Sequence, residues 1–155
     1  MGGRSRIIEL SSSEKTNLFG RHAARFLPFG SLLALQGPLG AGKTSFVQGL
    51  AAGLNIQTPI QSPTFSYLNL YEDGNRSLYH FDLYRMKSPS DFFAMGFDEY
   101  FDRNGIVAIE WPERLGNLLP AKAVSFRFSY SGSGRIVHLS SAFEPELIDL
   151  LAKWD

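Results

Sequence analysis

Two hydrophobic periods alternate along the chain and predict its elements. "RIIEL" (6–10) has the look of a short strand. In the "SSSEKTNLFGRHAARFL" that follows, Leu18, Phe19, His22, Ala23 and Phe26 recur at helical spacing, and Ser11 with Glu14 has the spacing of a capping box. That helix should end near Pro28 and Gly30. "SLLALQ" (31–36) is a continuous apolar run, as in a strand buried on both faces, and it stops at Gly37. A second helix is predicted from Lys43, with Phe46, Val47, Leu50, Ala51 and Leu54 on one face and Gly53 near its end.

After the polar connector "NIQTPIQSPT", the runs "FSYLNLY" (65–71) and "SLYHFDLY" (77–84) alternate with period two around Asp73-Gly74, which predicts a hairpin. "SPSDFFAMGFDEYFDRNG" (88–105) reads as short helical pieces capped at Ser90 and broken at Gly96. "IVAIEW" (106–111) is the next buried strand, ended by Pro112. A last hairpin, "AVSFRFSY" and "RIVHLSS" around "SGSG", precedes a closing helix from about Pro145 to Trp154. With no repeat and no low-complexity tract, this order predicts one α/β domain over residues 1–155, its central sheet mixed parallel and antiparallel and flanked by helices.

Composition narrows the function classes. Fifteen basic residues balance fifteen acidic ones without long runs of either sign, so the broad footprint of a DNA, RNA or membrane-surface binder is absent. Contact with RNA would be local or made through a partner. Cysteine is absent, which excludes a disulfide framework, a thiolate metal site and a thiol nucleophile. "MGGRSRIIELSSSE" lacks the apolar core of a signal peptide, and no window approaches the ~18 apolar residues of a membrane span. The expectation is a cytoplasmic protein. Arg6 stands where a myristoylation motif needs Ser or Thr.

The strongest chemical signal is "GPLGAGKT", which fits G-x-x-x-x-G-K-[ST] at every fixed position and lies between a predicted buried strand and a helix, as a P-loop must. Glycines at 37, 40 and 42 let backbone amides wrap a phosphate at the positive end of a helix, with Pro38, Leu39 and Ala41 completing the loop and Ser45 following it. Lys43 can reach the β- and γ-phosphates, and the Thr44 hydroxyl can join the shell of Mg²⁺.

Hydrolysis or transfer needs a carboxylate as well. Glu110 ends "IVAIE", the position at which open α/β sheets deliver ligand-binding groups, and it resembles a Walker B acid with glutamate for aspartate. In "HFDLYR" (80–85), period two puts Leu78, His80, Asp82 and Tyr84 on one face, opposite Tyr79, Phe81 and Leu83. That polar face must meet solvent, a ligand or a polar network; by itself it fits a hydrogen-bonded ladder or a site. No further ligands recur at zinc spacing. "SPTF" (62–65) places Thr64 either in a plain Ser-Pro turn or in a segment that senses a terminal phosphate.

"GPLGAGKT", "SPTF", "HFDLYR" and "IEWPE", in that order and over nearly the whole chain, resemble the small ATPase family of bacterial tRNA threonylcarbamoyladenosine biosynthesis, TsaE (YjeE). The resemblance implies a partner-stimulated ATPase that uses ATP and Mg²⁺ and works with TsaB and TsaD in forming t6A at tRNA position 37. Transfer in that system is catalysed by TsaD, and tRNA is reached through the complex. It further implies that Lys43 and the loop amides bind phosphates, that Thr44 and Glu110 hold Mg²⁺ and that Asp82 is a catalytic acid beside the metal or its water. Trp111 would lie near the nucleotide, and Thr64 would belong to a switch-like segment. The residues alone leave open a small-molecule P-loop kinase and a nucleotide-dependent binding module. The guanine motif Asn-Lys-x-Asp is absent, which disfavours GTP.

Overall fold

A computed structural model of the chain describes residues 3–63 and 65–154. Its strands are β1 (Arg4–Leu10), β2 (Leu32–Gln36), β3 (Leu68–Tyr71), β4 (Leu78–Asp82), β5 (Ile106–Glu110), β6 (Val124–Ser131) and β7 (Gly134–Ser141). The helices are α1 (Ser13–Phe26), α2 (Lys43–Gly53), α3 (Pro89–Ala94) and α4 (Pro145–Ala152), with 3-10 segments over Phe97–Asp102 and Pro112–Leu118. The strands form one seven-stranded sheet in the order β1-β7-β6-β2-β5-β4-β3. β6, β2, β5 and β4 run parallel to one another, and the flanking strands pair antiparallel. The mixed α/β sheet expected from the sequence is therefore present.

Parallel strands surrounded by neighbours must be covered on both faces. Leu33, Leu35, Ala108 and Phe126 pack beneath Phe19, Phe46 and Leu50 of α1 and α2 in one core. On the other face Leu32, Phe81, Val107 and Ile109 meet Phe92, Phe101 and Leu115. The two helices of the first layer touch very closely: a Cβ on Gly49 would overlap the carbonyl oxygen of Asn17, and one on Gly20 would overlap that of Phe46. This crossing brings the start of α1 against the loop that opens α2.

The structure corrects several local expectations. The cap of α1 is Ser12, whose side chain accepts from Lys15 N at 3.1 Å, rather than Ser11. The buried stripe is Thr16, Phe19, Gly20, Ala23 and Ala24, with Gly20 against the α2 backbone, while Leu18 is exposed. α3 is capped by Ser88, which accepts from Ser90 N, rather than by Ser90. β3 starts only at Leu68, and β4 ends at Asp82, so Tyr84 lies in the turn beyond the strand. Tyr84 thus does not continue the His80–Asp82 alternation.

Candidate nucleotide site

Four parallel strands place four C-terminal ends at one edge of the sheet, where ligands of open α/β sheets bind. β2 leads from Gln36 into Gly37–Thr44 and on into α2, which begins at Lys43. Glu110, the last residue of β5, pairs in register with Leu35 of β2 on one side and with Asp82 of β4 on the other. Two carboxylates therefore stand side by side next to the strand that enters the loop. The period of two puts both on the α2 face of the sheet, together with Leu35 and His80.

The loop backbone is shaped by its glycines and by a hairpin the sequence did not link to it. Gly37 has φ 143° and sits so close to β6 that an added Cβ would lie 2.5 Å from Phe128 O. Gly42 has φ 111°, immediately before α2. From the β6–β7 hairpin the Tyr130 hydroxyl donates to Leu39 O at 2.6 Å, and Arg135 Nε donates to Gly40 O at 3.2 Å. A trans peptide opposes its carbonyl to the next amide, so anchoring Leu39 O turns the Gly40 N–H away from the hairpin. The positive end of α2 and its amides supply the anion preference. Beside the loop a hollow of about 220 Å³ is lined by Thr16, Gly40, Gly42, Ser45 and Arg135 among others.

Lys43 is only 4% exposed, and its ammonium donates to Gly37 O at 2.6 Å while lying 4.5 Å from the centre of the Trp111 ring. An ammonium has three donors, so this tether leaves capacity for an anion. Trp111 takes the left-handed conformation (φ 57°) directly after Glu110, a sparsely populated geometry for a bulky residue and one that collects at functional sites. Its ring also packs on Tyr84, centroids 4.9 Å apart. Pro38, Leu39 and Gly40 are exposed, Ala41 is buried, and Thr44 at the start of α2 is exposed.

His80 and Glu110 are both buried, and His80 Nε2 lies 2.6 Å from Glu110 Oε2. The polar face of β4 thus meets a polar network rather than open solvent. Asp82 is partly buried; its Oδ1 accepts from Tyr84 N at 3.0 Å and its Oδ2 from the Ser62 hydroxyl at 3.3 Å. Asp82 N in turn donates to Tyr67 O at 3.0 Å. Tyr67, with φ 65°, is a second strained non-glycine residue beside the carboxylates. Thr64 falls outside the described residues. Phe65, the exposed end of "SPTF", lies under the Arg85 guanidinium, 5.3 Å from its ring centre.

For Mg²⁺ the donor chemistry fits: a hydroxyl at Thr44 and carboxylates at Glu110 and Asp82 are hard oxygen ligands. Among the described residues no three His, Cys, Asp or Glu side chains gather as a cage.

The loop, Glu110, Asp82 and Trp111, all expected from the sequence, lie at one edge of the sheet. Tyr130 and Arg135 reach the loop from the β6–β7 hairpin, distant in sequence and without a local motif, whereas Ser62, the first residue of "SPTF", meets Asp82.

A phosphate loop leaving the central strand of a mixed sheet, with acids at the ends of the next two strands, defines a P-loop NTPase-like α/β domain. Residues 10–137 match the family described as "Threonylcarbamoyl adenosine biosynthesis protein TsaE". The chain is 44% identical over 123 residues to a TsaE protein of Treponema pallidum (79% of this chain, 90% of the relative). It is 38% identical over 149 residues to one from Nostoc (94% and 91%). A crystal structure of Bacillus subtilis YdiB is similar with a TM-score of 0.83 at 31% identity, covering 99% of this chain and 97% of that one. The chain belongs to the TsaE family.

Proposed function

We propose that this protein is a Mg²⁺-dependent ATPase of the cytoplasm that serves t6A modification of tRNA together with TsaB and TsaD. Family membership supports the t6A role. The observation that carries the chemistry is the register of Glu110 with both Leu35 and Asp82, which sets two acids beside the strand feeding the phosphate loop.

In this reading the loop amides and the start of α2 bind the phosphates, and Lys43, steadied by Gly37 O and Trp111, neutralises their outer charge. Thr44 and Glu110 hold Mg²⁺, which when bound spreads the charge developing on the transferred phosphoryl group. Asp82 orients the attacking water and accepts its proton. Among the described residues its Oδ1 accepts from Tyr84 N and its Oδ2 from the Ser62 hydroxyl, contacts that orient the carboxylate. Thr64 is assigned to the same site from its motif alone. The protein reaches tRNA through the complex, in keeping with its balanced charge.

Phosphate release from ATP tests this reading when measured for the chain alone, with TsaB and TsaD, and with a panel of small acceptors. Slow release alone, faster release with TsaB–TsaD and no phosphorylated acceptor are expected. Partner-independent phosphorylation of an acceptor would establish a kinase instead. Saturable ATP binding without release in the full complex would establish a binding module.

A further inference from the structure

The buried His80 has no role in the scheme above, although it makes the closest side-chain contact of either acid. His80 is 2% exposed and Glu110 6% exposed, on neighbouring strands held by a complete backbone ladder. Strand pairing therefore does not require a polar pair at this point. An apolar residue opposite Ala108, the ladder partner of His80, would satisfy the core equally well.

The contact is also selective in its atoms. His80 reaches diagonally along the ladder, past Ala108, and places Nε2 2.6 Å from Glu110 Oε2. A carboxylate offers only acceptors, so Nε2 carries the proton and donates. The other ring nitrogen, Nδ1, is fully enclosed and has no hydrogen-bond partner among the described residues. Glu110 Oε1 takes no hydrogen bond from any described residue. One carboxylate oxygen is thus pinned and the other is left for a ligand.

We infer that His80 is a positioning residue: its Nε2–H fixes the Glu110 carboxylate in the rotation that presents Oε1 to the metal of a bound nucleotide. The inference rests on the proposed Mg²⁺-nucleotide reading and assigns His80 no contact with nucleotide or metal. Removing partners of this outer kind typically costs about 10–100-fold in metal affinity.

The atom selectivity dictates the test. Glutamine carries its amide nitrogen at the chain position of Nε2, whereas asparagine carries one only at the position of Nδ1, where the structure provides no partner. Affinity for a non-hydrolysable ATP analogue would be measured by calorimetry with and without Mg²⁺ for wild type, His80→Gln, His80→Asn and Glu110→Gln, with melting curves to establish folding.

His80→Asn should lose about tenfold or more of the Mg²⁺-dependent gain in affinity, with Mg²⁺-free affinity near wild type, and Glu110→Gln should lose that gain as well. His80→Gln should keep most of the gain. Unchanged Mg²⁺ dependence in His80→Asn would overturn the inference, and so would equal losses in both His80 variants with and without Mg²⁺, since that marks mere strand support. Should His80→Asn fail to fold, His80→Gln decides alone: retained Mg²⁺ dependence supports the role and its loss refutes it. Wild-type protein whose affinity ignores Mg²⁺ would remove the nucleotide-metal reading and this inference with it, whereas a normal wild type beside an unaffected His80→Asn removes only the inference.

Discussion

Lys43 shows how much a single residue can be asked to do. Its ammonium is buried, tethered to Gly37 O and stacked on Trp111, so its position is set before any phosphate arrives. Lys43→Ala removes a charge-assisted contact of about 1.5–3 kcal/mol. ATP affinity measured by calorimetry should fall at least tenfold, with melting temperature little changed. Trp111→Leu keeps the apolar contact but loses the ring face, worth about 0.5–2 kcal/mol to a cation. A several-fold loss of affinity is expected, and unchanged affinity would mean that Trp111 only packs. The residue types of the loop, Glu110 and Asp82 were legible because their chemistry is local to a motif. The burial of His80 was not: period two shows that His80 and Asp82 share a face, and a solvated ladder and a buried pair have the same spacing.

At the scale of elements, the α1–α2 crossing decides whether the loop is presented properly. Gly49 lies against the Asn17 backbone, where an added methyl has no room, so Gly49→Ala must push the helices apart. A loss of about 1–3 kcal/mol is expected from such overpacking, readable as a lower denaturant midpoint. The connector after α2 is pinned differently: Asp73 accepts from Gln57 N at 2.9 Å and Thr58 N at 3.1 Å. The Gln57 amide, helped by that of Thr58, holds the Asp73 carboxyl below its ordinary value despite the opposing effect of burial. Because the folded state prefers the charged form, its contribution is present above the ordinary carboxylate range and fades as pH falls through the lowered value. Asp73→Ala should therefore melt below wild type at neutral pH, with the gap narrowing in acid; a gap independent of pH would contradict this.

Element types followed well from hydrophobic period, since the buried strands and the P-loop helix are strongly patterned. Their edges followed less well. Three consecutive serines, Ser11 to Ser13, stand before α1, and Ser12 is the one whose side chain accepts from Lys15 N. The strand limit near Phe65 shifted because Tyr67 takes a left-handed conformation, and β4 stops at Asp82 because its carboxylate accepts from Tyr84 N and Met86 N donates to Leu83 O, closing a turn that no local propensity announces.

For the whole molecule, the sheet order brings Tyr130 and Arg135 of the last hairpin onto the loop between β2 and α2. Such contacts span more than ninety residues and lie beyond any motif. The same order leaves Leu39, Phe65 and Tyr84 exposed at the edge that carries Asp82 and Glu110. In the proposed function Asp82 converts ATP binding into ATP use. The most direct test measures ATP affinity and phosphate release for wild type and Asp82→Asn in the presence of TsaB and TsaD. Affinity within a few-fold of wild type with release reduced about 10²–10⁴-fold is predicted; release at the wild-type rate would contradict it.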